Sequence, residues 1–130
     1  MKRNYRLFVR DILDCIEKID ELIGNMDLDR FIQDDKTKSA VVRKLEIIGE
    51  AAKNIPRQIR QNYRELPWTD MAGMRDKIAH FYFGIDHSIV WEVIKRRLPE
   101  MKPVIKKILM EMEELGYLAS GNANQGRQKT

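Results

Sequence analysis

A stripe of apolar side chains runs through Tyr5, Phe8, Val9, Ile12, Ile16, Ile19 and Ile23. Steps of three and four residues put them on one side of a helix, whereas a strand facing a core needs steps of two. The pattern recurs at Val41, Leu45, Ile48, Ala52 and Ile55, where Asn54-Ile55-Pro56 closes it, because proline disfavours helix in the residue before it. It returns at Ile89, Val90, Val93, Ile94 and Leu98, and again at Met101, Val104, Ile105, Ile108, Met112 and Leu115. No alternating stretch and no internal repeat interrupts this period. The chain is therefore predicted to be all-α, an antiparallel up-and-down helical bundle with short connections.

Breakers and caps divide the stripes. Gly24 is a good stop for the first helix. Asp27 to Asp35 is polar around Leu28, Phe31 and Ile32, which suits a short helix or a loop. Pro56 to Tyr63 suits a short helix starting at its proline. Pro67-Trp68-Thr69-Asp70 opens a further helix with Thr69 or Asp70 as its N-cap, and Gly84 interrupts it. Asp86 or Ser88 is expected to cap the next helix. Pro99 fits a new helix start, with Pro103 in or near the first turn. Trp68 and Trp91 are expected as core or interface anchors, and His87 as an exposed residue. The domain is predicted over residues 1–118. Residues 119–130 are Ser, Gly, Asn, Gln and basic residues without an apolar anchor, and are expected to be a disordered tail.

A chain of 130 residues can bury one real core. No apolar run reaches the ~18–20 residues that cross a bilayer, so no membrane partner is expected. The basic start leads into an amphipathic segment rather than an unbroken apolar block, so no signal peptide is expected. Cys15 stands alone, which suits a reducing cytoplasm. Two histidines and one cysteine are too few and scattered for a zinc ligand set, and no cofactor is expected. The formal charge of +4 permits a polyanion partner.

The chemistry concentrates in Met74-Arg75-Asp76-Lys77-Ile78-Ala79-His80-Phe81-Tyr82. An imidazole can take or give a proton at neutral pH, and a guanidinium suits phosphate oxygens. Asp76 and His80 are one helical turn apart, so the carboxylate can orient the ring. Arg75 and Tyr82 nearly superpose two turns apart, but Arg75 and His80 differ by about 140° around an ideal helix. They converge if Arg75 bends on its long stem, if the helix distorts before Gly84, or if two copies of the helix face each other across a dimer axis. The dimer is the favoured route. Without more, Arg75 and Asp76 also fit a surface charge pair, and Tyr82 with Phe81 and Phe83 fits packed aromatics.

The segment resembles the Arg-x-x-x-x-His-x-Tyr signature of HEPN ribonuclease toxins of the HepT type. The similarity extends to Arg43-Lys44-Leu45-Glu46-Ile47-Ile48-Gly49-Glu50-Ala51-Ala52, to Pro67-Trp68 with Ala72-Gly73-Met74-Arg75, and to Tyr82-Phe83-Gly84-Ile85-Asp86 followed by Ile89-Val90-Trp91. It covers the chain to about Tyr117. The resemblance implies a dimeric helical bundle and a metal-independent endoribonuclease that cleaves RNA by 2′-OH transesterification. Arg75 and His80 then form the catalytic pair and Asp76 their polar neighbour. The implied partner is a minimal nucleotidyltransferase antitoxin that moves AMP from ATP onto Tyr82. Two other functions fit the same residues: a non-catalytic helical nucleotide-binding partner of a nucleotidyltransferase, and a purely structural bundle.

Overall fold

The computed structural model describes residues 5–74, 76 and 87–129, with side chains to Glu114. Every element among them is helical: α1 Tyr5–Ile23, α2 Leu28–Gln33, α3 Asp35–Lys53, α4 Arg57–Asn62, α5 Trp68–Ala72, α6 His87–Glu92 and α7 Leu98–Lys129, with a π-helical turn Val93–Arg97 joining the last two. The chain is thus all-α, as its period predicts.

Helix α1 packs along both α3 and α7. The apolar stripe of the sequence is only part of its buried face, which also takes in Leu13 and Cys15. A helix wedged between two others needs a wider apolar face than a surface helix does. Burial pushes the Cys15 thiol up from its usual range, so it behaves as a small apolar group. Two pairs fix the direction of α7. Arg10, early in α1, meets Glu113, and Asp20, late in α1, meets Lys102 at 3.2 Å. The order reverses along the two helices, so they are antiparallel.

Gly24 takes a φ of +53° and turns the chain out of α1. The segment after it is a helix rather than a loop. Asp27 caps α2 by accepting from the Arg30 N–H at 2.9 Å. Asp34 ends α2 and begins α3, accepting from the Thr37 N–H at 3.0 Å. That bond holds its carboxyl below the usual range. Val41, Leu45, Ile48, Ala52 and Ile55 are all buried, so the second stripe faces the core throughout.

Expectations at two helix starts are corrected, those of α5 and of Pro99. Helix α5 begins at Trp68 with Pro67 as its N-cap residue, so Thr69 and Asp70 lie inside the helix and neither caps it. Pro67 offers no side-chain acceptor, and the first helical N–H, that of Trp68, donates instead to the Leu66 carbonyl at 2.9 Å. Ser88 lies inside α6 rather than at its cap, while Asp86 falls outside the described residues. Pro99 does not start a new helix. Leu98 donates to Val93 O, a five-residue bond, and both boundary residues of the π turn keep right-handed helical dihedrals. Helix α6, the π turn and α7 therefore run on without a break. Pro99 cannot donate to the carbonyl four residues back, and its ring crowds that carbonyl. The widened turn just before it relieves the conflict. Pro103 is consequently interior to the helix rather than in a first turn. The backbone of α7 continues to Lys129, through the segment that composition sets apart as a tail.

Candidate functional site

Two short elements frame the motif. On one side stands α5, packed on α3 with Trp68 and Met71 buried. The Trp68 indole N–H donates to the Tyr63 carbonyl at 2.8 Å, which locks the entry to α5. The Tyr63 hydroxyl in turn donates to a Glu111 carboxylate oxygen at 2.6 Å, tying this corner to α7. Burial and that carboxylate push the Tyr63 phenol up to about 12, so it keeps its proton at neutral pH. On the other side stands α6, held by buried Val90 and by Trp91, whose ring lies 5.2 Å from that of Phe31 in α2. Lys95 Nζ lies 5.5 Å from the centre of the same indole. His87, expected to be exposed, is half-buried at the start of α6.

Between the frames the chain carries the residues that the sequence singled out. Helix α5 ends at Gly73, whose N–H donates to Thr69 O at 2.9 Å. A Cβ there would lie 3.3 Å from the same oxygen, so glycine suits this close turn. Met74 and Asp76 are again helical, and the Asp76 side chain is exposed. Arg75, His80 and Tyr82 lie outside the described residues, as do Phe81, Phe83 and Gly84. An apolar cleft of about 190 Å³ opens between the two frames, lined by Leu45, Met71, Met74, Val90, Val93 and Met101 among others.

The α3 segment shares its residues between core and surface. Leu45, Ile48, Gly49, Ala51 and Ala52 are buried. Arg43, Glu46 and Glu50 line a polar groove of about 320 Å³ against Phe8 and Asp11 of α1. Arg43 pairs with Glu46 at 3.4 Å. Among the described residues no three His, Cys, Asp or Glu side chains gather as metal ligands.

Sequence patterning passed over a second polar feature. Arg57 and Arg60 of α4 and Arg64 just beyond it line an open groove of about 440 Å³ with Pro67, Trp68 and Asp70. Its signal was available in the sequence: three arginines between positions 57 and 64 and no acidic residue among them.

The architecture is that of an all-helical bundle with a polar motif carried between two short helices. Its family follows from comparison. The profile described as "Ribonuclease HepT-like" matches residues 12–108. A candidate RNase of Methanocaldococcus jannaschii is 44% identical over 113 residues, 87% of this chain and 97% of the relative. A second candidate RNase from that organism is 45% identical over 112 residues, 86% of this chain and 93% of its own. The probable ribonuclease HepT of Thermococcus cleftensis is 43% identical over 108 residues, covering 83% and 98%. No solved structure gives a significant match. The chain belongs to the HepT-like ribonuclease family.

Proposed function

We propose that this chain is a metal-independent endoribonuclease, the toxin of a toxin–antitoxin pair. The observation that carries the reading is family membership across most of the chain, with Arg75-x-x-x-x-His80-x-Tyr82 ungapped inside the matched span. In this reading the RNA 2′-oxygen attacks the adjacent phosphorus. The bond to the 5′-oxygen breaks and a 2′,3′-cyclic phosphate forms. His80 moves the proton, taking it from the 2′-OH or giving it to the leaving oxygen. Arg75 balances the added charge on the phosphoryl oxygens. Asp76, one turn before His80, holds the imidazole and favours its charged form. The 2′-OH requirement leaves DNA uncut.

The roughly 140° between Arg75 and His80 on an ideal helix favours a homodimer whose paired motif helices share one cleft. Tyr82, on the stripe of Arg75, is the proposed acceptor of AMP. Its oxygen attacks the α-phosphorus of ATP, pyrophosphate leaves, and a nucleotidyltransferase antitoxin catalyses the transfer. The anionic phosphodiester then repels RNA from the Arg75 site. A cytoplasmic location and a domain ending at residue 118 complete the proposal.

The test is an RNA cleavage assay in EDTA. The wild-type chain should yield cyclic-phosphate ends. His80→Ala should lose about 10²–10⁴-fold in rate with its helical circular dichroism unchanged. Undiminished cleavage by the folded variant would remove His80 from the mechanism. Nucleotide binding without any cleavage by the wild type would instead make the chain the non-catalytic partner. In the same assay, prior incubation with the nucleotidyltransferase and ATP should silence the wild type and spare Tyr82→Phe. Equal silencing of both would clear Tyr82 of the acceptor role.

A further inference from the structure

We infer that the groove between α4 and α5 is a binding site for the sugar–phosphate backbone of single-stranded RNA, with Arg57, Arg60 and Arg64 as its phosphate contacts. The inference rests on the ribonuclease reading and extends it, because it assigns a substrate surface away from the reacting groups. Arg57 and Arg60 are three residues apart on one side of α4, and Arg64, just past its end, lines the same groove. None forms an ion pair among the described residues, although many other arginines and lysines of the chain do. Glu65, the nearest acid in sequence, lies 3.7 Å from Lys107 on α7 instead. Among the described residues Asp70 is the single carboxylate lining the groove, against three guanidinium groups.

The Arg60 Nε is buried and has no hydrogen-bond partner among the described residues. A buried donor left without a partner is uncommon, and it shows that the protein's own acceptors leave this guanidinium uncommitted beside the groove. Arg57 and Arg64 are exposed and line the same groove as Arg60.

The occupant is a polyanion rather than a protein. Protein interfaces concentrate their affinity in exposed aromatic and aliphatic anchors. The aromatic lining this groove, Trp68, is only 7% exposed and has its indole N–H committed to Tyr63. What remains accessible is separated positive charge, which suits a phosphate backbone. Helix α4 has six residues and spans only about 9 Å, enough for a few nucleotides of one strand. Position favours the substrate. Pro67 and Asp70 line both this groove and the apolar cleft beside Met74, so an RNA strand here runs alongside α5 toward the motif.

The test measures binding of a fluorescein-labelled single-stranded RNA oligonucleotide in the His80→Ala background, across a salt series. Arg57→Gln/Arg64→Gln, and the triple variant that adds Arg60→Gln, should bind at least about tenfold more weakly. The slope of log affinity against log salt should fall by about 0.7 for each phosphate that is no longer neutralised, so by roughly 2 for the triple variant. Unchanged affinity and slope in a folded variant would overturn the groove. So would intact RNA binding with lost binding of the nucleotidyltransferase, which would make it a protein-docking surface. Both positions of the double variant are exposed, so that variant carries the test if the triple one misfolds. Cleavage assays separate the two claims. Wild-type cleavage matched by the triple variant at low substrate sinks the groove alone. Arginine-dependent RNA binding by a wild type that never cleaves sinks the ribonuclease reading alone.

Discussion

Helix α1 buries seven of its 19 residues, whereas α4 buries none of its six. The contrast is one of support. Helix α1 is held along its whole length by apolar contact with α3 and α7. Helix α4 is held from its flanks, by buried Ile55 before it and by buried Leu66 and Trp68 after it. Between those anchors only Ile59 and Tyr63 pack partly against the core, and the arginines stay outside it. A segment suspended in this way can present charge without disturbing packing, which is why the three arginines collect there. Stability and surface chemistry are thus carried by different helices, and substitutions in the two places should report on different properties.

The strongest challenge to this division is Ile48→Ala. Ile48 is fully buried in α3, and truncating such a side chain costs about 2–5 kcal/mol through lost transfer energy and the cavity left behind. Urea unfolding should show this as a lower midpoint. A change below about 1 kcal/mol would mean that the site collapses freely and that the core is less tightly packed than its burial implies.

Tyr63 stands at the border between the two regions, and its effect should be intermediate. Tyr63→Phe removes the bond to Glu111 and should cost about 1 kcal/mol at neutral pH. Its pH dependence carries a sign. The folded phenol is pushed up to about 12 from an ordinary value of 10. The stabilisation it gives is therefore fully present below pH 10 and lost as the pH rises to about 12. Wild type should lose stability across that window and the Phe variant should lose less. Parallel curves would show that the Tyr63–Glu111 contact has no energetic role.

The smallest effect is expected at Arg57 of α4 and at Arg64 just beyond it. Arg57→Gln/Arg64→Gln should leave stability within about 0.5 kcal/mol per site, since both side chains are exposed and away from the core. A large drop in thermal midpoint would erase the distinction between a supporting α1 and a presenting α4.

The long helices were legible because burial imposes a period on the sequence. The stripes of α1 and α3 predicted most of their buried faces. Leu13 and Cys15 in α1 and Thr37, Gly49 and Ala51 in α3 are also buried, while Tyr5 and Phe8 are only half-buried. The helix starts were less legible. Thr69 and Asp70 have capping chemistry, but Pro67 begins α5 without a side-chain cap bond. Pro99 looked like a boundary because a proline conflicts with an ideal α-helix. The chain resolves that conflict by widening the turn, a backbone choice with no side-chain signature. Arg75, Asp76, His80 and Tyr82 stood out by chemical type. Arg57, Arg60 and Arg64 did not, because a charged face looks like ordinary surface until a groove is seen beneath it.

The widened turn also sets the angular phase of everything after it. Val90, Ile94 and Leu98 are all buried, at two successive steps of four. On an ideal α-helix eight residues overshoot two full turns by about 80°. The π turn absorbs much of that drift, so Leu98 comes back toward the side of Val90. Met101, Ile105 and Ile108 then follow in register with α1. Val93–Arg97 thus works like the offset on a cam: its residue count decides which flank of a long shaft meets the bundle and which meets solvent. The same short insert that makes room for a proline orients α7 relative to the motif frame at α6.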